Sequence, residues 1–233
     1  AFIPGQTRIP LNVPSYGQEE IDEVIDSLKS GWVTMGAKVK RFEQMWAEYV
    51  ETHCAVMVNS GSSANLLALS CLGLQPGDEV ITPALTWATT VFPIAQVGAV
   101  PVLVDVDLDT YNVSPEAVER AITPRTRAIM PVHLLGNPCE MGLLLQSAHN
   151  HGLRILEDAC EAHGAEWRDF KVGSISDIAT FSFFFSHHIS TVEGGMVVTN
   201  SLEIAEKCRS LRAFGWIREL RHKAGLAAVH SDI

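Results

Sequence analysis

The sequence lacks the features of a membrane or secreted protein. None of its apolar runs reaches the ~18 residues that span a bilayer. Its first residues, "AFIPGQTRIPLNVPSYG", lack the basic start and apolar block of a signal peptide. Basic residues are scarce, with 17 Lys and Arg against 27 Asp and Glu and a net charge of −10. This balance argues against nucleic acid or an anionic membrane as a partner. We therefore expect a cytoplasmic protein that binds neither.

Cysteine pairs of the kind that bind metals or form disulfide frameworks are also missing. The five cysteines are scattered, odd in number and form no CxxC pair, which predicts reduced thiols. The segment "EDACEAHG" does bring Asp158, Cys160, Glu161 and His163 close together in sequence. Their spacing fits no tetrahedral zinc pattern, so we expect no metal.

The 233 residues, 47% apolar and 19% charged, predict one large globular domain. Two helical patterns come first, one ending at Gly31 and one spanning residues 37–50. Short apolar runs with helix-length segments between them then predict a mostly parallel sheet of the α/β class. Ligands of such sheets bind at the carboxyl ends of the strands. The predicted strands are residues 54–58, 79–83, 100–106, 127–133, 154–158 and 178–184.

The segment "VNSGSSAN" (58–65) reads as a strand, a turn of small residues and the start of a helix. Gly61 allows a close backbone approach, and the first amides of a helix favour an anion such as phosphate. An ordinary serine-rich helix cap explains the same residues. The segment is neither a Walker loop nor GxGxxG, which argues against nucleoside triphosphates and dinucleotides.

Asp158 ends the apolar strand "RILED" and therefore needs a cationic partner or hydrogen-bond donors. A protonated pyridine nitrogen would serve, and so would a helix cap or a salt bridge to Arg154. Trp87 follows another predicted strand and offers a face for stacking, although a core tryptophan is an alternative. A phosphate cup, a buried acid and a stacking ring together predict a site for pyridoxal phosphate.

From about Val13 to Trp216 the chain resembles the sugar-nucleotide aminotransferases of the DegT/DnrJ/EryC1/StrS type. The resemblance rests on "NSGSSAN", "GDEVITPALTW", "ILEDACEAHGA" and "FSF…EGG", in the family's order and spacing. It implies an aspartate-aminotransferase-like large domain of PLP fold type I over residues 1–233, and a homodimer. The chain starts without Met and ends on "GLAAVHSDI", so we expect a fragment that lacks the family's C-terminal small domain.

In that family a lysine six residues before the Glu of "EGG" forms the Schiff base with the cofactor. Here Glu193 is that Glu, and His187 stands at the lysine position. "SHHISTVEGG" resembles the lysine-free sugar 3-dehydratases, in which the first histidine replaces the lysine. Glu161 also resembles the GDP-sugar members of that branch. An imidazole forms no Schiff base but exchanges protons at neutral pH.

The resemblance implies a pyridoxamine-phosphate (PMP)-dependent 3-dehydratase, similar to GDP-4-keto-6-deoxy-D-mannose 3-dehydratase, in deoxysugar or lipopolysaccharide O-antigen synthesis. Its substrate would be a nucleotide-linked 4-keto-6-deoxy sugar, and glutamate would supply the amine. His187 would act as acid and base, while strand alternation would direct His188 away from it; His133 and His163 receive no role. An ordinary aminotransferase with its lysine elsewhere and a non-catalytic relative are the alternatives. The implied cofactor-binding residues are Gly61, Ser62, Trp87, Asp158, Glu161 and Ser182.

Overall fold

A seven-stranded, mostly parallel sheet forms the centre of the computed structural model, which describes residues 2–10 and 13–217. The strand order is β1-β9-β8-β5-β4-β2-β3, and only β9 runs antiparallel to its neighbours. The carboxyl ends of the other six strands therefore meet at one edge of the sheet. The strands are β1 (Cys54–Val58), β2 (Glu79–Pro83), β3 (Val100–Val104), β4 (Thr126–Ile129), β5 (Arg154–Asp158), β8 (Ile178–Ser182) and β9 (Gly195–Thr199), and a separate hairpin contains β6 (Glu166–Trp167) and β7 (Phe170–Lys171).

Helices cover both faces of this sheet because its strands are apolar on both sides. Val56 and Val197 pack with Leu69 of α3 on one face. Phe181 and Met196 pack with Trp46 of α2 on the other. The α/β class with a mostly parallel sheet is confirmed. The helices are α1 (Gln18–Ser30), α2 (Ala37–Val50), α3 (Gly61–Cys71), α4 (Ala88–Gln96), α5 (Pro115–Ala121), α6 (Met141–His151) and α7 (Leu202–Arg212), with a 3₁₀ turn at Leu134–Gly136.

The apolar runs predicted six of the strands, but β3, β4 and β8 end before the predicted boundaries. The prediction omitted β9, a five-residue strand that starts at the second glycine of the pair, and the short β6–β7 hairpin. The predicted stop of α1 is confirmed, because Gly31 takes a left-handed φ of 71° and closes the helix. The predicted extent of the domain to residue 233 lies outside the described residues.

Helix α1 buries none of its side chains. Its apolar residues Ile21, Val24, Ile25 and Leu28 are all exposed, although they repeat at helical spacing. An ion-pair contact ties the helix to the next one, through Lys38 and the acids Glu23 and Asp26. Among the described residues, no helix combines the length and apolarity that a membrane crossing requires.

Candidate active site

The turn between β1 and α3 forms a tight cup with the ends of β8 and β9. The Ser60 side chain caps α3 by accepting a hydrogen bond from the Ser63 amide at 3.1 Å. A Cβ on Gly61 would lie only 2.6 Å from the Cβ of Ser182 and 3.0 Å from the Sγ of Cys160. A side chain at Gly195 would strike the Ser60 carbonyl. Glycine is therefore required on both sides of the cup, where strands from distant parts of the chain converge.

The cap and the predicted anion site coexist at this turn. Ser60 performs the capping, which leaves the side chain of Ser62 exposed beside the helix N-terminus. Ser182, at the end of β8, is buried against Gly61. The structure thus brings together Gly61, Ser62 and Ser182 at a helix end that favours an anion.

Asp158 ends β5 and is only 4% exposed. Its Oδ2 accepts hydrogen bonds from Asn65 Nδ2 (3.0 Å) and Thr90 Oγ1 (2.8 Å), and its Oδ1 accepts one from the Cys160 amide (3.2 Å). The predicted alternative of a salt bridge to Arg154 is wrong, because Arg154 pairs with Asp177 at 2.6 Å. These donors are all uncharged, so the arrangement suits a further, cationic N–H partner.

Two donors of this network were absent from the predicted site. Asn65 lies in α3, four residues after Gly61, and its Oδ1 also accepts a hydrogen bond from Thr180 at 2.6 Å. Thr90 lies in α4 and contacts Thr86 at 2.7 Å through the two hydroxyl groups. Asn65 lies within "NSGSSAN", a motif that carried the resemblance, and Thr90 lies three residues after the motif "GDEVITPALTW". A buried acid must have donors, but sequence does not say which polar residues supply them.

Trp87 precedes α4 and is 76% exposed. The interpretation as a core tryptophan is therefore wrong. The Thr90 amide donates a hydrogen bond to the Trp87 carbonyl at 3.0 Å. Helix α4, which contacts Asp158 through Thr90, therefore begins directly after Trp87. An exposed aromatic face at the carboxyl edge of the sheet can stack on a flat ligand.

Glu161 follows β5 and accepts a hydrogen bond from the Leu135 amide at 2.9 Å. Leu135 has a φ of 51°, in the left-handed region that leucine rarely adopts. The residue is 82% exposed, so the strain serves no packing of its side chain. The strained turn directs its amide at Glu161 and fixes that carboxylate beside the sheet edge.

His187 lies in the loop between β8 and β9, where its amide donates to the Phe184 carbonyl at 3.0 Å. The prediction that strand alternation separates His187 from His188 is wrong, because this segment is a bend rather than a strand. His163, to which no role was assigned, meets both rings edge-on, with centroids 6.1 Å from His187 and 5.7 Å from His188. Phe183 stacks on the other side of His163.

Burial and neighbouring charges shift the pKa values of His187 and His163. Burial lowers the pKa of His187, the Glu161 carboxylate opposes that shift, and His188 adds to it. Burial, with smaller contributions from His187 and His188, lowers the pKa of His163 to about 4. In the part of the chain that the structure describes, no group meets hydrogen-bond geometry at either ring nitrogen of His163. His187 is thus uncharged at neutral pH, the form in which an imidazole accepts a proton.

The described lysines lie on other elements. Lys29 is in α1, Lys38 and Lys40 are in α2 and Lys207 is in α7. Lys171 pairs with Glu166 in the β6–β7 hairpin. Lys223 lies outside the described residues. Within residues 2–10 and 13–217, no group of three or more His, Cys, Asp or Glu side chains is arranged to hold a metal.

The sheet order, with its site at the carboxyl edge, defines an aspartate-aminotransferase-like protein of PLP fold type I. Residues 14–228 match the model of one family within that class. The chain belongs to the DegT/DnrJ/EryC1/StrS aminotransferase family.

Proteins that resemble the chain include a GDP-perosamine synthase and two 3-dehydratases. The chain is 44% identical to a GDP-perosamine synthase from Caulobacter vibrioides, covering 89% of the chain and 56% of that protein. It is 41% identical to a dTDP-4-dehydro-2,6-dideoxy-D-glucose 3-dehydratase from Saccharopolyspora spinosa, covering 92% and 48%. The E. coli GDP-4-keto-6-deoxy-D-mannose-3-dehydratase, solved with bound hydrated PLP, superposes with a TM-score of 0.88 at 38% identity, covering 91% and 56%. The chain thus spans about half the length of its relatives.

Proposed function

We propose that the protein is a PLP/PMP-dependent 3-dehydratase of a nucleotide-linked 4-keto-6-deoxy sugar. The observation that carries the proposal is His187, a half-buried, uncharged imidazole at the position of the family lysine. The whole β8–β9 loop, "FFFSHHISTVEG", contains no lysine. Proton transfer is therefore available in this loop, whereas a covalent amine link to a cofactor is not.

The residues present fit PLP and PMP. The cup around Gly61 has no room for a side chain, and its helix end and serines match a phosphate. Asp158 presents a buried carboxylate with neutral donors, which suits a protonated pyridine nitrogen. Trp87 would stack on the ring, and Glu161 would face its hydroxyl side. When bound, the cofactor supplies an amine that condenses with the sugar ketone and a ring that takes up electrons.

His187 would remove a proton beside the ring and return one to the departing C3 hydroxyl. Its lowered pKa supports the first step, and the nearby Glu161 carboxylate supports the transient positive charge that follows. Asp158 would hold the pyridine proton in place throughout. The products would be a 3-deoxy-4-keto sugar and ammonia, with the cofactor left as the aldehyde PLP, and glutamate would restore its amine for the next turnover.

The assembly that would perform this reaction is longer than the chain described. We propose a cytoplasmic homodimer in which a C-terminal small domain follows the large domain. Among nucleotide sugars we favour GDP-4-keto-6-deoxymannose, because the E. coli enzyme that acts on it superposes over 91% of the chain.

The test uses the protein at its native length with PMP, glutamate and GDP-4-keto-6-deoxymannose, and identifies the product by mass spectrometry. Loss of one oxygen without gain of nitrogen is expected. Substituting Asn for His187 removes the proton carrier, so product formation should fall by about a hundredfold or more, the usual range for acid–base groups. Formation of an amino sugar would contradict the proposal, and so would an unimpaired His187→Asn variant.

The second candidate is a PLP-dependent sugar-nucleotide aminotransferase, which the similarity to a GDP-perosamine synthase favours. It requires a lysine that reaches the cofactor from outside the β8–β9 loop. Borohydride reduction of the PLP-loaded protein would then leave a cofactor-modified lysine peptide, whereas the dehydratase would leave none. A non-catalytic relative would give neither a modified lysine nor a product with any sugar tested.

A further inference from the structure

Cys71 and Cys208 are far apart in sequence but touch in the core. Cys71 is the last residue of α3, Cys208 lies in α7, and their Sγ atoms are 3.3 Å apart. Both are buried, with exposed fractions of 7% and 0%. A disulfide needs an S–S distance of about 2.05 Å, so the two sulfur atoms must approach by about 1.2 Å.

The two thiols are chemically unequal. The contact with Cys208 lowers the pKa of the Cys71 thiol, against burial and with help from the Lys207 charge. The same contact, together with burial, raises the pKa of Cys208. Lys207 Nζ lies 3.4 Å from the Cys71 carbonyl, so the positive charge is next to the lower-pKa sulfur. Cys71 is therefore the nucleophile of the pair, and Cys208 is the resolving thiol.

We propose that Cys71 and Cys208 form a peroxide-sensitive modification site that closes to an intramolecular disulfide between α3 and α7. The Cys71 thiolate attacks one oxygen of hydrogen peroxide, breaks the O–O bond and becomes a sulfenic acid. The Cys208 sulfur then attacks the Cys71 sulfur, the S–O bond breaks, and water leaves. Two thiols lose two electrons and two protons, and one peroxide becomes two water molecules.

The other cysteines lack this arrangement. Cys139 donates its thiol to the Val132 carbonyl at 3.1 Å, and Cys54 is buried without a thiol partner among the described residues. Cys160 is at the cup, where burial and the Asp158 charge raise its pKa well above the usual value. Oxidation at a lower-pKa thiol with a second thiol in contact is therefore specific to one pair.

The test treats the folded protein with hydrogen peroxide, blocks remaining thiols and maps peptides without reduction. A cross-link between the Cys71 and Cys208 peptides, reversed by dithiothreitol, is expected. The oxidised protein should also melt at a higher temperature, because the bond closes a loop between residues 137 positions apart. Cys139→Ser serves as the matched control and should form the cross-link normally.

Two variants separate the roles of the sulfurs. Cys208→Ser should leave a sulfenic acid at Cys71 that dimedone traps, whereas Cys71→Ser should leave Cys208 unmodified. Free Cys71 and Cys208 after a peroxide dose that fully oxidises added glutathione would overturn the proposal. A cross-link from Cys71 to any other cysteine would overturn it as well.

Discussion

Glu157 and Asp158 are neighbours on β5, carry the same charge and are both buried, yet they face opposite sides of the sheet. Glu157 is completely enclosed and accepts four hydrogen bonds, from His133 Nε2 (3.0 Å), the Gly173 and Ser176 amides (3.1 Å each) and Ser176 Oγ (2.7 Å). Asp158 accepts three. The protein itself satisfies Glu157, whereas Asp158 is the acid that we propose to hold a cofactor.

Two histidines outside β5, His133 and His163, show a similar contrast. His133 accepts a hydrogen bond from the Cys139 amide at Nδ1 (3.0 Å), so that nitrogen has a lone pair and the ring proton is on Nε2, directed at Glu157. Within residues 2–10 and 13–217, neither nitrogen of His163 has a hydrogen-bond partner. Burial would raise the pKa of Glu157, but its hydrogen bonds, that from His133 foremost, outweigh burial and lower it. Both members of the Glu157–His133 pair are thus satisfied by the protein itself, the pattern of a structural site.

The largest effect is expected when Asp158 is replaced by an uncharged residue. Asp158→Asn keeps the shape but removes the charge that would hold a pyridine proton. We expect the rate of product formation to fall by about 10²–10³-fold, the range for loss of one preorganised electrostatic group. Steady-state kinetics and an absorbance titration with PLP measure the effect, and a melting curve close to the wild type controls for folding. Unchanged kinetics would show that Asp158 has only a structural role.

The corresponding change on the other side should affect folding instead. Glu157→Gln replaces one acceptor oxygen by an N–H₂ group that faces existing donors, which leaves buried groups unpaired. We expect the free energy of unfolding to fall by about 3 kcal/mol. Urea denaturation measures this loss. The idea of a closed structural carboxylate fails if Glu157→Gln is as stable as the wild type.

His163 should make the folding stability of the protein depend on pH. Its folded pKa of about 4 is below the unfolded value of 6.5, so the unfolded chain binds an extra proton as pH falls through that window. Folding stability therefore drops on acidification, and His163 alone should account for about 2 kcal/mol at pH 5. His163→Phe, which keeps a ring against Phe183, should lose this acid sensitivity. Denaturant melts of both proteins at pH 7 and pH 5 test it, and equal losses would contradict the assignment.

The smallest effects are expected when one hydrogen-bond donor is removed from Asp158 or from Glu157. Thr90→Val deletes one of three hydrogen bonds to Asp158, and Ser176→Ala deletes the shortest of four bonds to Glu157. Each should cost about 1 kcal/mol of stability. PLP affinity should weaken only in Thr90→Val, because that bond orients the acid facing the cofactor. Equal PLP affinity in the two variants would remove the functional distinction between the two faces of β5.

Sequence reasoning identified Asp158 as a site residue but gave no role to Glu157 or His133. Apolar runs placed β1, β2, β5 and β8, and the polar residues after them are the candidate site, because strand ends carry ligands in this fold. Glu157 and His133 could not be paired in advance, since 24 residues separate them and the motif that contains Glu157 does not indicate its partner. The bend at His188 also escaped prediction, because the aromatic run before it continues the strand pattern beyond the real end of β8.

The edge position of β1 determines when the site can form during synthesis. β1 pairs with β9, the last of the described strands along the chain, and Val58 beside the cup aligns with Gly195. β1 can therefore complete its pairing only after the other described strands have been made, a long-range closure that slows folding. A nascent chain halted before β9 would contain Gly61 and Ser182 but would lack Gly195, which packs against the Ser60 carbonyl. Cofactor capture is thus a late event in the maturation of this protein.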